Sequence, residues 1–267
     1  MKAKSALNRK HSTKVVEDDL DQDIVHVWYA WIDTIDPNTL QNQLSILSPD
    51  EVKRYQGLYF PYDRHRFLTA HLLKRFTLSK YLKTDPDLIE FSSDRLGKPE
   101  LRYSLNQSAI QFNLTHTHNL VSCAIARRRV GIDAEFLDRT LSQNTIAMFL
   151  SNDELELINR RDNADRTKCA LDLWTLKEAY LKGIGVGLHR DPKDFSFHRF
   201  VSCEQLNRQF QAMFEPSQVE WTFFQEHKLF EGYVMSSAIE SANRSNAIET
   251  VTNQSEIRYF EGTALLQ

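Results

Sequence analysis

Asp133 and Glu135 stand two positions apart in the apolar run "VGIDAEF" (Val130 to Phe136). Alternate residues of a strand share a face, so two carboxylates would sit side by side there and repel. Acids at the solvent face of an edge strand are one explanation. A hard-cation site is the other, because Mg²⁺ takes one or two carboxylates and keeps water or phosphate oxygens beside them. A third acid lies in "WTLKEAYLK", where Glu178 and Lys182 are spaced i, i+4 on one helix face, with Trp174 one turn earlier. Leu171, Leu173, Leu176, Tyr180 and Leu181 surround that helix with apolar surface, which buries it. A half-buried Glu and Lys need partners or a ligand. Asp133, Glu135 and Glu178 could hold Mg²⁺, and Lys182 could face a phosphate. "FNLTHTHNL" adds Thr115 and His116 in a turn between two strand-like runs, suited to phosphate or hydroxyl contact. "LGKPEL" adds one cation, Lys98.

The elements that must position these groups form two similar series. "IVHVWYAWI" alternates as a strand, with Val25, Val27, Tyr29 and Trp31 on one face. "LSPDEVKRYQGL" starts a helix, with Ser48 as N-cap and Pro49 at the first position. A longer helix follows from "DRHRFLTAHLL", then "LIEFSS" and "AIQFNL" as short strands. Two more strands flank the basic turn Arg127 to Arg129. The second half opens with the "VGIDAEF" strand, then a capped helix at "LSNDE" and a longer helix closed by Gly183 as C-cap. "DFSFHRF", "VEWTFFQ" and "GYVMSSAIE" read as strands. "LSPDE" and "LSNDE" are 103 positions apart, and the two Asp-Arg pairs at Asp63 and Asp165 are 102 apart. The repeated order and near-constant offset predict a duplicated α+β unit with a ligand cleft between its halves.

Composition narrows the function classes. The 267 residues are 41% hydrophobic and 26% charged with a formal net charge of -3, an ordinary globular balance that does not favour nucleic acid. Three cysteines without a CxxC pair argue against a disulfide framework and for a reducing cytoplasm. No apolar run reaches the ~20 residues of a membrane span, and the charged start lacks a signal-peptide core.

"GKP", "FNLTHTH", "VGIDAEF" and "WTLKEAYLKGIGVGL", in that order, resemble the signature blocks of the 4′-phosphopantetheinyl transferases. The likeness spans about Ser48 to Leu188 and is closer to the surfactin-synthetase type, a fused pseudo-dimer. It implies an α+β chain of two similar α/β halves packed as an intramolecular pseudo-dimer. Residues 1–22 would be a flexible tail, 23–129 the coenzyme A nucleotide half, 130–241 the Mg and catalytic half, and 242–267 a C-terminal segment. It implies transfer of phosphopantetheine from coenzyme A to a serine of an apo acyl or peptidyl carrier protein, releasing adenosine 3′,5′-bisphosphate. The alternative is a non-catalytic coenzyme A- or carrier-binding protein of the same fold. A Mg²⁺-dependent nucleotide phosphotransferase is disfavoured, since no P-loop or kinase signature appears.

The resemblance also implies roles. Asp133, Glu135 and Glu178 match the metal acids, for Mg²⁺ with Mn²⁺ as a substitute, and Glu178 is also the candidate base. Lys182 and His116 match groups at the coenzyme A phosphates, and both are expected to assist transfer. Arg54, His65, Arg66, Lys98 and Thr115 match coenzyme A contacts, with Thr115 where the family usually has Ser. Glu51 falls where a Lys can stand, and Ala134 where a larger apolar residue is common. Met148, Phe149 and Leu150 are a candidate carrier-docking stretch. The expected protein is a cytoplasmic monomer with no nucleic-acid or membrane partner.

Overall fold

The computed structural model describes residues 20–102, 109–199, 208–215, 219–241 and 255–267. The chain begins with β1 (Ile24–Trp31), α1 (Pro37–Gln41), α2 (Pro49–Gly57) and α3 (Pro61–Leu82). Strands β2 (Phe91–Ser93), β3 (Pro99–Leu101), β4 (Gln111–Thr117), β5 (Leu120–Ala126) and β6 (Val130–Phe136) follow. Then come α4 (Gln143–Ala147), α5 (Asn152–Asn159) and α6 (Asn163–Ile184). Strands β7 (Arg208–Met213), β8 (Glu220–Glu226), β9 (Tyr233–Glu240) and β10 (Glu256–Glu261) complete it.

Two four-stranded sheets, ordered β10-β1-β5-β4 and β6-β9-β8-β7, carry the mixed α+β architecture. Strand alternation sorts β1 between two cores. Val25 and Val27 join Leu120, Val130, Ile132, Ala134 and Met235 in the apolar layer between the sheets. Trp28, Ala30 and Ile32 turn the other way, onto Leu72 and Leu73 of α3. Residues of α6, including Leu173, Leu176 and Tyr180, cover the second sheet through Trp221 and Phe223. The layers therefore run helix, sheet, sheet, helix. Strands β5 and β6, which flank the basic turn, lie in different sheets, so the turn is the crossover between halves. The C-terminal strand β10 returns to pair in parallel with β1.

The duplication extends to buried charges. Ser48 and Ser151 each close a capping box, with Glu51 and Glu154 at the third helical position. Glu51 receives Lys74 Nζ at 2.7 Å, and Glu154 receives Lys177 Nζ at 2.9 Å. Each member of the second pair lies 103 positions after its counterpart in the first. Glu51 is thus a structural acid, also bonded by Arg75 and His71, and is spent inside the fold. Burial alone would raise its carboxyl, but His71, Lys74 and the Ser48 N–H overrule that and hold it far below the ordinary range. The unfolded chain protonates this acid at ~4.3 while the native chain keeps it ionised. Its stabilisation is present above that value and is lost as pH falls towards the folded value. Glu51→Gln is expected to cost about 3–5 kcal/mol in urea unfolding at neutral pH, because it leaves buried cations unpaired. The gap to the wild type should narrow below ~4, and an equal gap in acid would contradict the assignment.

Several local readings are corrected. "DFSFHRF" forms no strand through Arg199. Its backbone is satisfied otherwise: Lys177 donates to the Phe195 carbonyl at 2.5 Å, as it does to that of Pro192 just ahead at 2.6 Å, and Glu154 accepts from Phe197 N at 2.8 Å. Gly183 lies inside α6, and Gly185, at φ 82°, is the left-handed C-cap. Thr115, His116 and Thr117 belong to β4 rather than to a turn. The proposed tail is tied down at its end, since Leu20 is buried and its carbonyl accepts from Arg127 Nε at 2.6 Å. Residues 1–19 and the polar stretch 242–254 lie outside the described residues. Cys123 is free and buried, whereas Cys169 is disulfide-bonded, although the cysteine count argued against a disulfide framework.

Candidate active site

Strand β6 lies unusually close to α6 because glycine faces it. A Cβ on Gly131 would stand 1.9 Å from the Ala179 carbonyl oxygen and 2.4 Å from Gly183 N. Alternation then turns Ile132 and Ala134 into the layer between the sheets and sends Asp133 the other way, within reach of Lys182 on α6. Ala134 is therefore a packing position between the halves, apart from the acids on either side of it.

Strand β4 of the first half locks this strand through every second side chain. Asn113 Oδ1 accepts from Ile132 N at 3.0 Å. Thr115 Oγ1 accepts from Ala134 N and donates to Asp133 Oδ1, both at 3.2 Å. Thr117 Oγ1 donates to Glu135 Oε2 at 3.4 Å. The Thr115 hydroxyl is thus used within the protein and positions Asp133. Asn113 was missed by the sequence reading, although its two-residue spacing from Thr115 and Thr117 was the signal.

Asp133 is 6% exposed. Its Oδ1 receives Lys182 Nζ at 2.6 Å, while its Oδ2 is buried with no hydrogen-bond partner. Glu135 is held by Arg139 at 2.9 Å and by the Trp174 side chain. Burial, then the charge of Asp133, raises its carboxyl. Glu178 is pushed up to about 7, first by burial, then by Asp133, with Lys182 opposing and Glu135 adding. The three acids thus feel one another across the β6–α6 seam. Among the described residues no three His, Cys, Asp or Glu side chains stand already converged as a metal cage. Even so, the donors fit a hard cation: an orphaned buried carboxylate oxygen and three mutually repelling acids call for positive charge.

His116 lies near this group. The surrounding protein, then Arg66, holds its imidazole below the ordinary value, and Lys182 and Asp133 act on it in opposite directions. Arg66 is paired with Asp63 at 2.8 Å. Lys98 donates to the Gly183 carbonyl at 3.0 Å, at the negative end of α6, and burial lowers its pKa. The other two predicted contacts are not brought into the cluster. Arg54 is exposed in the last turn of α2. His65 faces Ile35 and Asp36, with its Nε2 buried and unpartnered. The N-terminal half has no second copy of the helix-borne groups, since Arg75 and Ser79 stand 103 positions before Glu178 and Lys182.

Beside Glu135 opens a cavity of about 610 Å³, lined by Arg139, Leu141, Met148, Phe149 and Trp174 among others. Met148 is 72% exposed, but Phe149 and Leu150 are buried in the core. Of Met148, Phe149 and Leu150, only Met148 is therefore exposed.

The chain, with its two four-stranded sheets and the acid cluster across the β6–α6 seam, matches two adjoining family profiles. "4′-Phosphopantetheinyl transferase, N-terminal" covers residues 31–128, and "4′-phosphopantetheinyl transferase superfamily" covers 129–238. The 4′-phosphopantetheinyl transferase HetI of Nostoc sp. is 36% identical over 168 residues, 62% of this chain and 70% of that protein. Gsp of Aneurinibacillus migulanus is 28% identical over 205 residues, covering 75% and 81%. Sfp of Bacillus subtilis is 29% identical over 153 residues, covering 57% and 66%. Both are likewise 4′-phosphopantetheinyl transferases. The chain belongs to the 4′-phosphopantetheinyl transferase family, and it is an enzyme, a transferase of the phosphopantetheine moiety with coenzyme A as substrate. Among the described residues, no helix is long and apolar enough to cross a membrane.

Proposed function

We propose that this enzyme transfers 4′-phosphopantetheine from coenzyme A to a serine hydroxyl of an apo acyl or peptidyl carrier protein. The serine oxygen attacks the pantetheine-side phosphorus of the pyrophosphate. The bond to the bridging oxygen breaks, and adenosine 3′,5′-bisphosphate leaves. The observation that supports this most is the grouping of Asp133, Glu178 and Lys182 across one seam, with an acid raised to about 7 among them. In this reading Glu178 takes the serine proton. Asp133, Glu135 and Glu178 would hold Mg²⁺ or Mn²⁺, which supplies charge neutralisation at the pyrophosphate. Lys182 and His116 donate to the phosphate oxygens as charge moves onto the leaving group.

The nucleotide is assigned to the first half, residues 23–129, with the exposed Arg54 and with Arg66, which would share itself between Asp63 and the nucleotide, as its cations. Lys98 and His65 would exchange their present contacts for it, and Thr115 holds Asp133 in place. The catalytic half is 130–241. A chain that already carries both halves acts as a monomer, in the cytoplasm.

The test is to mix the protein with an apo carrier, coenzyme A and Mg²⁺ and to weigh the carrier. The expected result is a gain of one phosphopantetheine per carrier. A carrier of unchanged mass, with coenzyme A still bound by the protein, would leave the non-catalytic binding protein standing instead.

A further inference from the structure

We propose that Arg139 is a movable counter-ion of Glu135 that competes with the divalent cation for that carboxylate. The inference rests on the metal assignment above. Two of the three acids are occupied by cations of the chain itself: Lys182 on Asp133 and Arg139 on Glu135. The two cations differ in freedom. Lys182 sits on α6 and also donates to the Ile132 carbonyl at 3.3 Å, which keeps it at the seam. Arg139 lies in the segment between β6 and α4, and its side chain is 46% exposed against 17% for Glu135. It lines the cavity beside Glu135, so open space adjoins this residue.

Removing Arg139 does not leave Glu135 without support. Thr117 and the Trp174 side chain still hold the carboxylate from β4 and α6. A divalent cation at Glu135 repels a guanidinium 2.9 Å from the same carboxylate, and the half-exposed partner is the one that can leave. Arg139 then swings into the cavity mouth. In the metal-free enzyme it keeps Glu135 compensated, and it thereby weakens metal binding.

The experiment titrates Mn²⁺ into the full-length protein and follows free Mn²⁺ by electron paramagnetic resonance, with no turnover required. Arg139→Gln is expected to bind Mn²⁺ about two- to five-fold more tightly, the effect of removing one half-exposed ion pair. Arg139→Lys, which keeps the charge, should stay near the wild type. In a Glu135→Gln background, Arg139→Gln should change nothing, since no carboxylate remains to compete for. Unchanged or weaker Mn²⁺ binding by Arg139→Gln overturns the proposal, as does equal tightening in both backgrounds. Asp133→Asn separates the two assignments. If it weakens Mn²⁺ binding while Arg139→Gln fails to tighten it, only the role of Arg139 falls. If wild type binds no Mn²⁺, or Asp133→Asn binds as well as wild type, the metal site itself is wrong and the inference goes with it.

Discussion

Replacing Glu178 by Gln is expected to lower carrier modification by about 10²–10⁴-fold, the range set by losing a general base. The substitution keeps the size and hydrogen-bonding shape of the side chain. It removes a proton acceptor and one of three acids. Burial and the charges of Asp133 and Glu135 already disfavour the ionised form. A neutral amide suits that surrounding, so the metal-free fold should melt no earlier than the wild type. Coenzyme A affinity measured without the metal should change little, because the nucleotide contacts are assigned to the other half. The expected pattern is thus a fall in kcat with an intact fold. Turnover within ten-fold of the wild type would remove Glu178 as the base, whatever its part in holding a cation.

Gly131→Ala should unfold the seam. The three nearest atoms a new Cβ would meet are all backbone of α6: Ala179 O at 1.9 Å, Gly183 N at 2.4 Å and Gly183 Cα at 2.9 Å. Backbone cannot rotate away as a side chain can, so the helix itself must retreat. Overpacking against flexible neighbours typically costs about 1–3 kcal/mol, and this case belongs at or beyond the upper end. The retreat also carries Glu178 and Lys182 away from Asp133, so the surviving folded fraction should lose activity too. Gly57→Ala is the control. Its Cβ would meet nothing within 4 Å, and it should be neutral or stabilising by up to ~1 kcal/mol. Wild-type melting and activity in Gly131→Ala would refute the close approach.

The acids themselves were legible because their spacing has one geometric meaning. Asp133 and Glu135 on a strand, and Glu178 and Lys182 on a helix, follow periods of two and about 3.6 residues that the backbone imposes. The duplication was legible as an offset, since capping boxes recur as short recognisable words. Other parts were hidden. Nothing local marks Lys177 as the buried partner of Glu154, though it repeats Lys74 at the same offset as the two acids. Thr115 looked like a turn residue because a polar alternating stretch resembles a loop until its partner strand is known. "DFSFHRF" looked like a strand because its alternation suits one, but a buried ammonium and carboxylate claimed its backbone groups first.

The sequence by itself determined the family, through its motif blocks, and the spacing of the acids on one strand and one helix, because these rest on residue identity and local spacing. Only the tertiary structure decided how close β6 comes to α6, that Thr115 and Asn113 clasp that strand, and that Arg139 and Lys182 occupy the acids. Those contacts join residues distant in the chain. They depend on a glycine that lets two backbones touch and on burial that leaves each charge seeking whatever partner the packed layers bring within reach.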